Sequence, residues 1–251
     1  MLEAALLFAA AFFGGMLNAV AGGGTFITFP ALVFVGIPPV VANATSTIAA
    51  LPGYLSAAIA FRSDIRRIED APFAKLTIWT MIGGAVGSGL LLVSSNEAFS
   101  VLVPFLLLGA TLVFYRADEV RRMASRWRSV VVPFGLGILL PVAIYGGYFN
   151  GGLGIVLLAV FAMWGMTDLH QMNGLKCWLS FALSLIAFAI FAAGGAVAWG
   201  PAAVMALGTV VGGYAGAPVA RRIPRDKLRL LIAIVGFGMT AIFFWRLIQG
   251  A

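Results

Sequence analysis

Long apolar runs separated by short polar segments make up almost the whole chain. The runs cover residues 2–20, 24–36, 40–61, 72–93, 98–115, 130–147, 151–166, 170–192, 198–219 and 229–248. Six of them approach or exceed the ~20 residues that a helix needs to span a bilayer. Runs 24–36 and 151–166 are shorter, which leaves open re-entrant half-helices or short tilted spans. Because the runs are continuously apolar instead of alternating, a transmembrane β-barrel is disfavoured.

Composition strengthens this interpretation. The chain is 62% hydrophobic and only 10% charged, with a mean hydropathy of +1.04, which leaves too little polar surface to coat a soluble globule. We therefore expect an all-α integral membrane protein. Glu3 stands where a signal peptide would carry basic residues, so we expect no cleaved signal. The single Cys177 is expected to be a small residue packed in a helix.

Two polar, glycine-rich breaks interrupt the apolar pattern, and each is followed by a helix with polar residues near its start. The first break and its helix contribute Asn18, Gly22, Gly23, Gly24 and Thr25, then Asn43, Ser46 and Thr47. The second break and its helix contribute Asn150, Gly151, Gly152 and Gly154, then Asn173 and Lys176. An ungapped register pairs Gly24 with Gly154, Asn43 with Asn173 and Ser46 with Lys176. Asn18 pairs with Asn150 only if the second copy lacks two residues. A duplicated, interrupted helix in an apolar chain predicts a transporter.

Positive charge is concentrated in three short segments between runs, which hold 14 of the 16 basic residues. These are Arg62, Arg66, Arg67 and Lys75; Arg116, Arg121, Arg122, Arg126 and Arg128; and Arg221, Arg222, Arg225, Lys227 and Arg229. By the positive-inside rule all three segments are cytoplasmic. The sequence pI near 10.2 then reflects membrane orientation and argues against a nucleic-acid partner. Contact with anionic lipid head groups would be an added consequence.

The same assignment constrains topology, because the chain between two cytoplasmic segments must cross the membrane an even number of times. The broken pair 130–166 adds either no crossing or two. We therefore expect two inverted repeats, with both termini outside. Residues 1–115 form the first repeat, with a broken hairpin at 2–36 and helices 40–61, 72–93 and 98–115. Residues 116–129 are a cytoplasmic loop. Residues 130–251 form the second repeat, with a hairpin at 130–166 and helices 170–192, 198–219 and 229–248.

The glycines at each break expose backbone N–H groups at the start of the following helix. Such N–H groups, together with the helix dipole, favour an anion. We therefore predict two facing anion cradles, Gly22 to Thr25 and Gly151 to Gly154. Asn18 and Asn150 are placed to hydrogen-bond either a ligand or the freed backbone. In the alternative interpretation, the glycines only permit close helix packing and the asparagines only satisfy the broken backbone.

The following helices place Asn43, Ser46 and Thr47, and in the other repeat Asn173 and Lys176, roughly on one face. Thr45, Ser180 and Ser184 are expected to be structural, since hydroxyls in membrane helices usually bond their own backbone. Lys176 lies inside an apolar run, where a charge indicates a functional residue. Its competing interpretation is snorkelling toward the cytoplasmic start of its helix, near Asp168 and His170.

At this point the sequence resembles the sulfite exporter TauE/SafE family of membrane permeases. The resemblance rests on Gly14-Gly15-Met16-Leu17-Asn18, on Gly22-Gly23-Gly24-Thr25 through Pro30, and on Gly36-Ile37-Pro38-Pro39 leading into Asn43-Ala44-Thr45-Ser46. It extends over nearly the whole chain. It implies transport, usually outward, of a small sulfur-containing anion such as sulfite or an organosulfonate across the cytoplasmic membrane. The second repeat departs from the family pattern at Gly152-Leu153-Gly154 and at Asn173-Gly174-Leu175-Lys176.

The residue chemistry also favours an anion. Every acidic residue lies in a basic segment or near the end of a run, so no mid-membrane carboxylate is evident for a proton or sodium relay. We expect potential-assisted, uniport-like export, with His170 as the candidate proton carrier if protons are coupled. The chain contains no motif typical of an intramembrane enzyme, a metal site or a cofactor site. A membrane scaffold without transport activity and an anion channel remain alternatives, and homo-oligomerisation stays open.

Overall fold

The computed structural model describes residues 2–20, 22–68, 71–127, 131–220 and 225–249, and every regular element among them is a helix. The helices are α1 Leu2–Val20, α2 Thr25–Phe34, α3 Pro39–Ala60, α4 Arg62–Ile65, α5 Phe73–Val93, α6 Asn96–Tyr115, α7 Ala117–Arg126, α8 Leu136–Tyr148, α9 Leu153–Met163, α10 Leu169–Ala193, α11 Trp199–Ala220 and α12 Arg225–Gln249. Both chain ends, and residues 128–130 and 221–224 of the basic segments, lie outside the described residues. The all-α prediction is confirmed.

Four of the described helices have the length and hydropathy to cross a membrane: Leu2–Ala19 within α1, α5, α6 and α10. The helices beside the breaks are shorter. α2 has 10 residues, α9 has 11, and α8 has 13 because it begins only after a turn at Pro133 to Gly135. At about 1.5 Å per residue, α8 covers ~20 Å, less than the ~30 Å thickness of a hydrocarbon core. This is a multi-pass membrane protein with short helices on both sides of the second break.

One sequence prediction needs correction, because residues 116–129 are not a plain loop. Ala117–Arg126 forms α7, and Arg62–Ile65 in the first basic segment forms α4. α7 has Asp118 and Glu119 in its first turn and Arg126 in its last, as the helix dipole favours. Exposed ion pairs one turn apart join Arg121 to Asp118 and Arg116 to Glu119. The helix packs on α9 and buries Ala124. The many charged residues of this segment made its amphipathic helical pattern hard to recognise in the sequence.

Glycines let two pairs of helices approach closely. Gly212 of α11 lies against the backbone of Phe12 in α1, and Gly87 of α5 lies against the backbone of Ile144 in α8. A Cβ at either glycine would collide with a carbonyl oxygen of the facing helix. Small residues at these crossings provide the close van der Waals packing that holds helices together in lipid.

The helix neighbours are related by an exchange of the two halves of the chain. In the two halves, α1 corresponds to α8, α3 to α10 and α5 to α11. The contact of α1 with α11 therefore matches that of α8 with α5, and the contact of α3 with α11 matches that of α10 with α5. The pairs α3 with α10 and α6 with α12 map onto themselves. This is the packing that two repeats predict. The inversion of one repeat relative to the other across the membrane stays a prediction.

An aromatic cluster holds α2 in the centre of the molecule. Phe29 is fully buried and packs edge-on against Phe99 and Phe149, with ring centroids 6.3 and 5.9 Å away. Phe26 of the same helix packs against Phe114 of α6. Since Phe149 belongs to the second break, the cluster fixes the helix after the first break against the second break.

Candidate functional site

The two breaks lie in direct contact through one glycine from each. A Cβ on Gly22 would stand 2.5 Å from the Cα of Gly154, and a Cβ on Gly154 would stand 2.6 Å from the Cα of Gly22. Gly22 also has a φ of +81°, a conformation that L side chains rarely adopt. Only glycine therefore fits at this junction. The contact brings the starts of α2 and α9 together, although they are far apart in sequence.

The first break is held closed by its own asparagine. Asn18, 5% exposed in the last turn of α1, accepts a hydrogen bond from the Gly24 N–H to its Oδ1 at 2.8 Å. One turn later, Thr28 donates to the Gly24 carbonyl at 3.2 Å and shares a 2.6 Å hydrogen bond with Ser46 of α3. Here the side chains satisfy the broken backbone, as the alternative interpretation expects of Asn18. Gly23 fits between the rings of Phe26 and Phe114.

The second break leaves its asparagine without a partner. Asn150 has a φ of +62° and Gly152 a φ of +71°, and α9 begins directly afterwards. Asn150 is 2% exposed, yet neither its Nδ2 nor its Oδ1 makes a hydrogen bond. Gly151 is held instead through its carbonyl, which accepts a hydrogen bond from the Tyr145 hydroxyl. An unpartnered amide buried this deeply is costly, so its polar atoms are available to a ligand.

Lys176 lies where the two breaks meet. Its side chain is completely buried, and its Nζ donates to Asn173 Oδ1 at 2.8 Å and to the Asn18 carbonyl at 3.3 Å. Its aliphatic stem packs over Gly154, where a Cβ would be 3.1 Å from the lysine Cδ. Snorkelling does not describe this side chain, because the amine is fully buried and bonds to the first break as well as to Asn173, one turn earlier on α10. Neither ion pair found among the described residues involves Lys176.

The opposite repeat provides a matching contact at the second break. Asn43 of α3 donates from Nδ2 to the Tyr148 carbonyl, at 2.8 Å, at the end of α8. The ungapped register that pairs Asn43 with Asn173 also pairs Asn18 with Tyr148. In each repeat, a side chain of the third helix thus donates to a backbone carbonyl in the last turn of the other repeat's first helix. The Oδ1 of Asn43 is buried and has no partner.

The remaining sequence-derived candidates surround this centre with different roles. Thr25 is buried at the start of α2, and Thr47 donates to the Asn43 carbonyl in its own helix at 3.0 Å. Thr45 has a structural contact, but its hydroxyl accepts from the N–H of the distant Ala198, whereas the sequence predicted a bond to the backbone of its own helix. Ser180 and Ser184 are buried, and the Ser184 hydroxyl has no partner.

The start of α10 lies away from this centre. The exposed His170 is in its first turn, and its ring centroid lies 6.3 Å from that of Phe61 with the rings tilted by 35°. Asp168 caps the helix, and hydrogen bonds from the backbone N–H groups of Gln171 and His170 hold the pKa of its carboxyl below the usual value. Asp168 and His170 therefore belong to the N-terminal end of α10 and not to the junction of the two breaks.

Sequence reasoning missed three contributors to the site: Thr28, Tyr145 and Tyr148. Thr28 could have been found from its spacing, because it lies one turn after Gly24 on the helix that the glycine opens. The roles of the tyrosines depend on contacts that no local pattern reveals. Tyr148 contributes only its backbone carbonyl, so its residue type carries no signal.

The arrangement brings together the amine of Lys176, two helix N-termini and unpartnered amide groups, all buried. The helix N-termini of α2 and α9 add partial positive charge to that of Lys176. No group of three or more potential metal-binding side chains occurs in the part of the chain that the structure describes. These features suit a small anion with hydrogen-bonding oxygens, which the surrounding protein closes off from solvent.

Comparison with known proteins gives a consistent result. A family model described as "Sulfite exporter TauE/SafE" matches residues 7–243. A "Probable membrane transporter protein" of Haemophilus influenzae is 31% identical over 239 residues, covering 94% of this chain and 92% of the relative. "Probable membrane transporter protein ORF9" of a Sinorhizobium species is 28% identical, covering 94% and 90%. "Probable membrane transporter protein YfcA" of Escherichia coli K12 is 27% identical, covering 94% and 87%. No solved structure matches.

Proposed function

The chain belongs to the sulfite exporter TauE/SafE family of membrane transporters, and we propose that it moves a small sulfur-containing anion, sulfite or an organosulfonate, out of the cell. It is a multi-pass membrane transporter and not an enzyme. In the proposed mechanism the anion binds where the two breaks meet, near the middle of the membrane, and reaches each side in turn.

The observation that carries this proposal is the buried amine of Lys176. Its two hydrogen-bond acceptors, the Asn18 carbonyl and Asn173 Oδ1, are both neutral. A buried ammonium without a counter-charge is strongly unfavourable, and an anion at the same place compensates it. A buried amine with only neutral partners supports an anionic substrate and argues against a cation or a sugar.

The second break supports the same proposal through its free polar atoms. Asn150 offers a donor and an acceptor, and Asn43 offers an acceptor, all buried and unpartnered. The amide Nδ2 of Asn150 suits an oxyanion oxygen. The free amide oxygens suit a substrate that also carries a donor, such as the hydroxyl of hydrogen sulfite or a polar substituent on a sulfonate.

Burial of the site favours a carrier over an open channel. Asn18, Asn43, Asn150 and Lys176 are each no more than 5% exposed, so the described arrangement is closed to both sides. Two repeats with exchangeable packing supply two arrangements of similar energy, each open to one side. In this proposal the basic segments face the cytoplasm across the inner membrane, and both termini lie outside.

Outward movement of an anion needs no coupling ion in this mechanism. An inside-negative potential drives a single negative charge outward with about 2.3 kcal/mol per 100 mV. Uniport-like export therefore fits a site built from one lysine and neutral polar groups.

Flux from proteoliposomes tests the proposal. Purified protein is reconstituted with labelled sulfite inside, and efflux is followed with and without a potassium–valinomycin potential, against protein-free vesicles. We expect protein-dependent efflux that accelerates when the sulfite-containing interior is negative, with competition by organosulfonates and little by carboxylates of equal size. Efflux that ignores the potential and requires a pH gradient would replace uniport by proton coupling. Absence of any sulfur oxyanion flux, with the protein folded, would contradict the proposed function.

A further inference from the structure

A groove opens on the surface of the helix bundle, away from the breaks. The groove lies among α3, α4, α5 and α10 and has a volume of about 750 Å³. Its apolar walls include Leu55 and Ile59 of α3 and Ile78 of α5, which are 37%, 55% and 56% exposed. In a membrane-spanning bundle these exposed apolar side chains face hydrocarbon.

One end of the groove is positively charged. Arg62 and Arg66 line it, one helical turn apart at the two ends of α4, and both are exposed. No ion pair joins either guanidinium to a carboxylate that the structure describes, although Asp64 lies on the same turn. Two guanidinium groups beside an apolar trough form a surface with one charged end and one apolar end.

The wall opposite the arginines is fixed in place by α10. Trp178 lines the groove, and its indole Nε1–H donates to Thr77 Oγ1 of α5 at 2.9 Å. This hydrogen bond ties α10 to α5 behind the groove. The groove runs from the exposed arginines of the basic segment along apolar side chains of α3 and α5. This order, charge first and then hydrocarbon, matches that of a phospholipid from its phosphate to its acyl chain.

We propose that this groove is a binding site for one anionic phospholipid. Its phosphate pairs with Arg62 and Arg66, and an acyl chain lies along Leu55, Ile59 and Ile78. Guanidinium groups bind phosphate oxygens in a bidentate geometry, which favours arginine for this contact. A zwitterionic phospholipid presents the same phosphate but adds its own cation, so the arginines discriminate against it. A soluble anion leaves the apolar trough unfilled.

Fluorescence quenching of Trp178 tests the site. The full-length protein in mixed micelles is titrated with dibrominated phosphatidylglycerol or dibrominated phosphatidylcholine, and the Trp178→Phe variant isolates the Trp178 signal from the other tryptophans. We expect half-maximal quenching at a mole fraction of phosphatidylglycerol roughly 25-fold below that of phosphatidylcholine, since each of the two arginines contributes about fivefold. Equal quenching by the two lipids would overturn the proposal.

Matched variants separate the charged contact from general surface charge. Arg62→Gln with Arg66→Gln should remove the preference for phosphatidylglycerol. Arg121→Gln with Arg122→Gln, on the exposed α7, removes the same charge outside the groove and should leave the preference intact. A preference that survives the first pair, or disappears with the second, would contradict the site.

A third variant tests the apolar trough. Ala74 lines the groove from the exposed face of α5, so Ala74→Phe fills the space without disturbing a buried residue. Quenching by both lipids should then fall, while thermal stability in detergent stays unchanged. If inorganic phosphate at matched concentration displaces the brominated lipid from the wild type, the arginines bind a soluble anion and the lipid proposal fails.

Discussion

The two breaks have similar sequences but their asparagines are used differently. At the first break, Asn18 closes the gap in the backbone by accepting the Gly24 N–H. At the second, Asn150 is equally buried but makes no hydrogen bond with either side-chain atom. Each break also receives a donor from the opposite repeat, Lys176 at the first and Asn43 at the second. One donor carries a charge and the other does not.

This difference suggests separate roles for the two breaks in binding the substrate. The first break is structurally complete and holds the cation, whereas the second leaves neutral hydrogen-bonding groups free. We infer that charge attraction comes from Lys176 and that orientation of the substrate comes from Asn150 and Asn43. A symmetric pair of cradles, as the sequence suggested, would place equal donors at both breaks.

The largest expected effect is on transport by Lys176→Met, which keeps the apolar stem and removes the charge. We expect sulfite efflux to fall roughly 100-fold, corresponding to about 3 kcal/mol for an unpaired buried partner. Thermal stability should be kept or raised, because an uncompensated buried charge is removed. The control is Lys75→Met on the exposed start of α5, which should transport normally. Equal loss in both variants would show that only net charge matters.

The next largest effect is on folding, at the point where the breaks touch. Gly22→Ala forces a side chain into a positive φ and against the Gly154 backbone, which should lower the free energy of unfolding by about 3 kcal/mol. Gly89→Ala is the matched control, since a Cβ there meets nothing within 4 Å. Its stability should be unchanged or slightly higher. Reversible unfolding in mixed micelles measures both, and a tolerated Gly22→Ala would show that the breaks separate easily.

A smaller and more diagnostic effect separates the two asparagines. Asn18→Ala leaves the buried Gly24 N–H without its partner and should reduce stability by about 2 kcal/mol. Asn150→Gly keeps the left-handed backbone and removes an unbonded buried amide, so stability should not fall. Its sulfite efflux should nevertheless fall roughly tenfold, the value of one hydrogen bond to an anion. If Asn150→Gly transports normally, the second break does not orient the substrate.

The smallest expected effect concerns two buried serines. Ser46→Ala breaks the hydrogen bond between α3 and Thr28 of α2 and should lower stability by about 1 kcal/mol. Ser184→Ala removes a hydroxyl that has no partner and should be neutral or slightly stabilising. Parallel thermal melts of the two variants measure the difference. A larger loss from Ser184→Ala would indicate an unrecognised role for that hydroxyl.

Much of the fold follows from hydropathy alone, because a bilayer requires long apolar helices. The run 2–20 coincides with α1, and runs 24–36 and 151–166 contain the short helices α2 and α9. The helix α7 was missed because charged residues masked its periodicity. The start of α8 was placed too early, since the turn around Pro133 to Gly135 interrupts an apolar stretch without adding charge.

The sequence allowed several residues of the candidate site to be predicted, but only some of the contacts between them. Glycine breaks and an intramembrane lysine are local signals, so Gly22, Gly154 and Lys176 were identifiable. The hydrogen bond from Lys176 to the Asn18 carbonyl joins distant parts of the chain, and sequence left snorkelling open. The roles of Asn18 and Asn150 differ because of tertiary surroundings, not because of residue type.

Equilibrium binding of labelled sulfite tests the central claim most directly, since it separates recognition by Lys176 from later steps of transport. Purified wild type, Lys176→Met and Lys75→Met are compared by scintillation proximity in the same detergent. We predict that the wild type and Lys75→Met bind with similar Kd, and that Lys176→Met binds roughly 100-fold more weakly while remaining folded. An unchanged Kd in Lys176→Met would contradict the claim that this buried lysine recognises the anion.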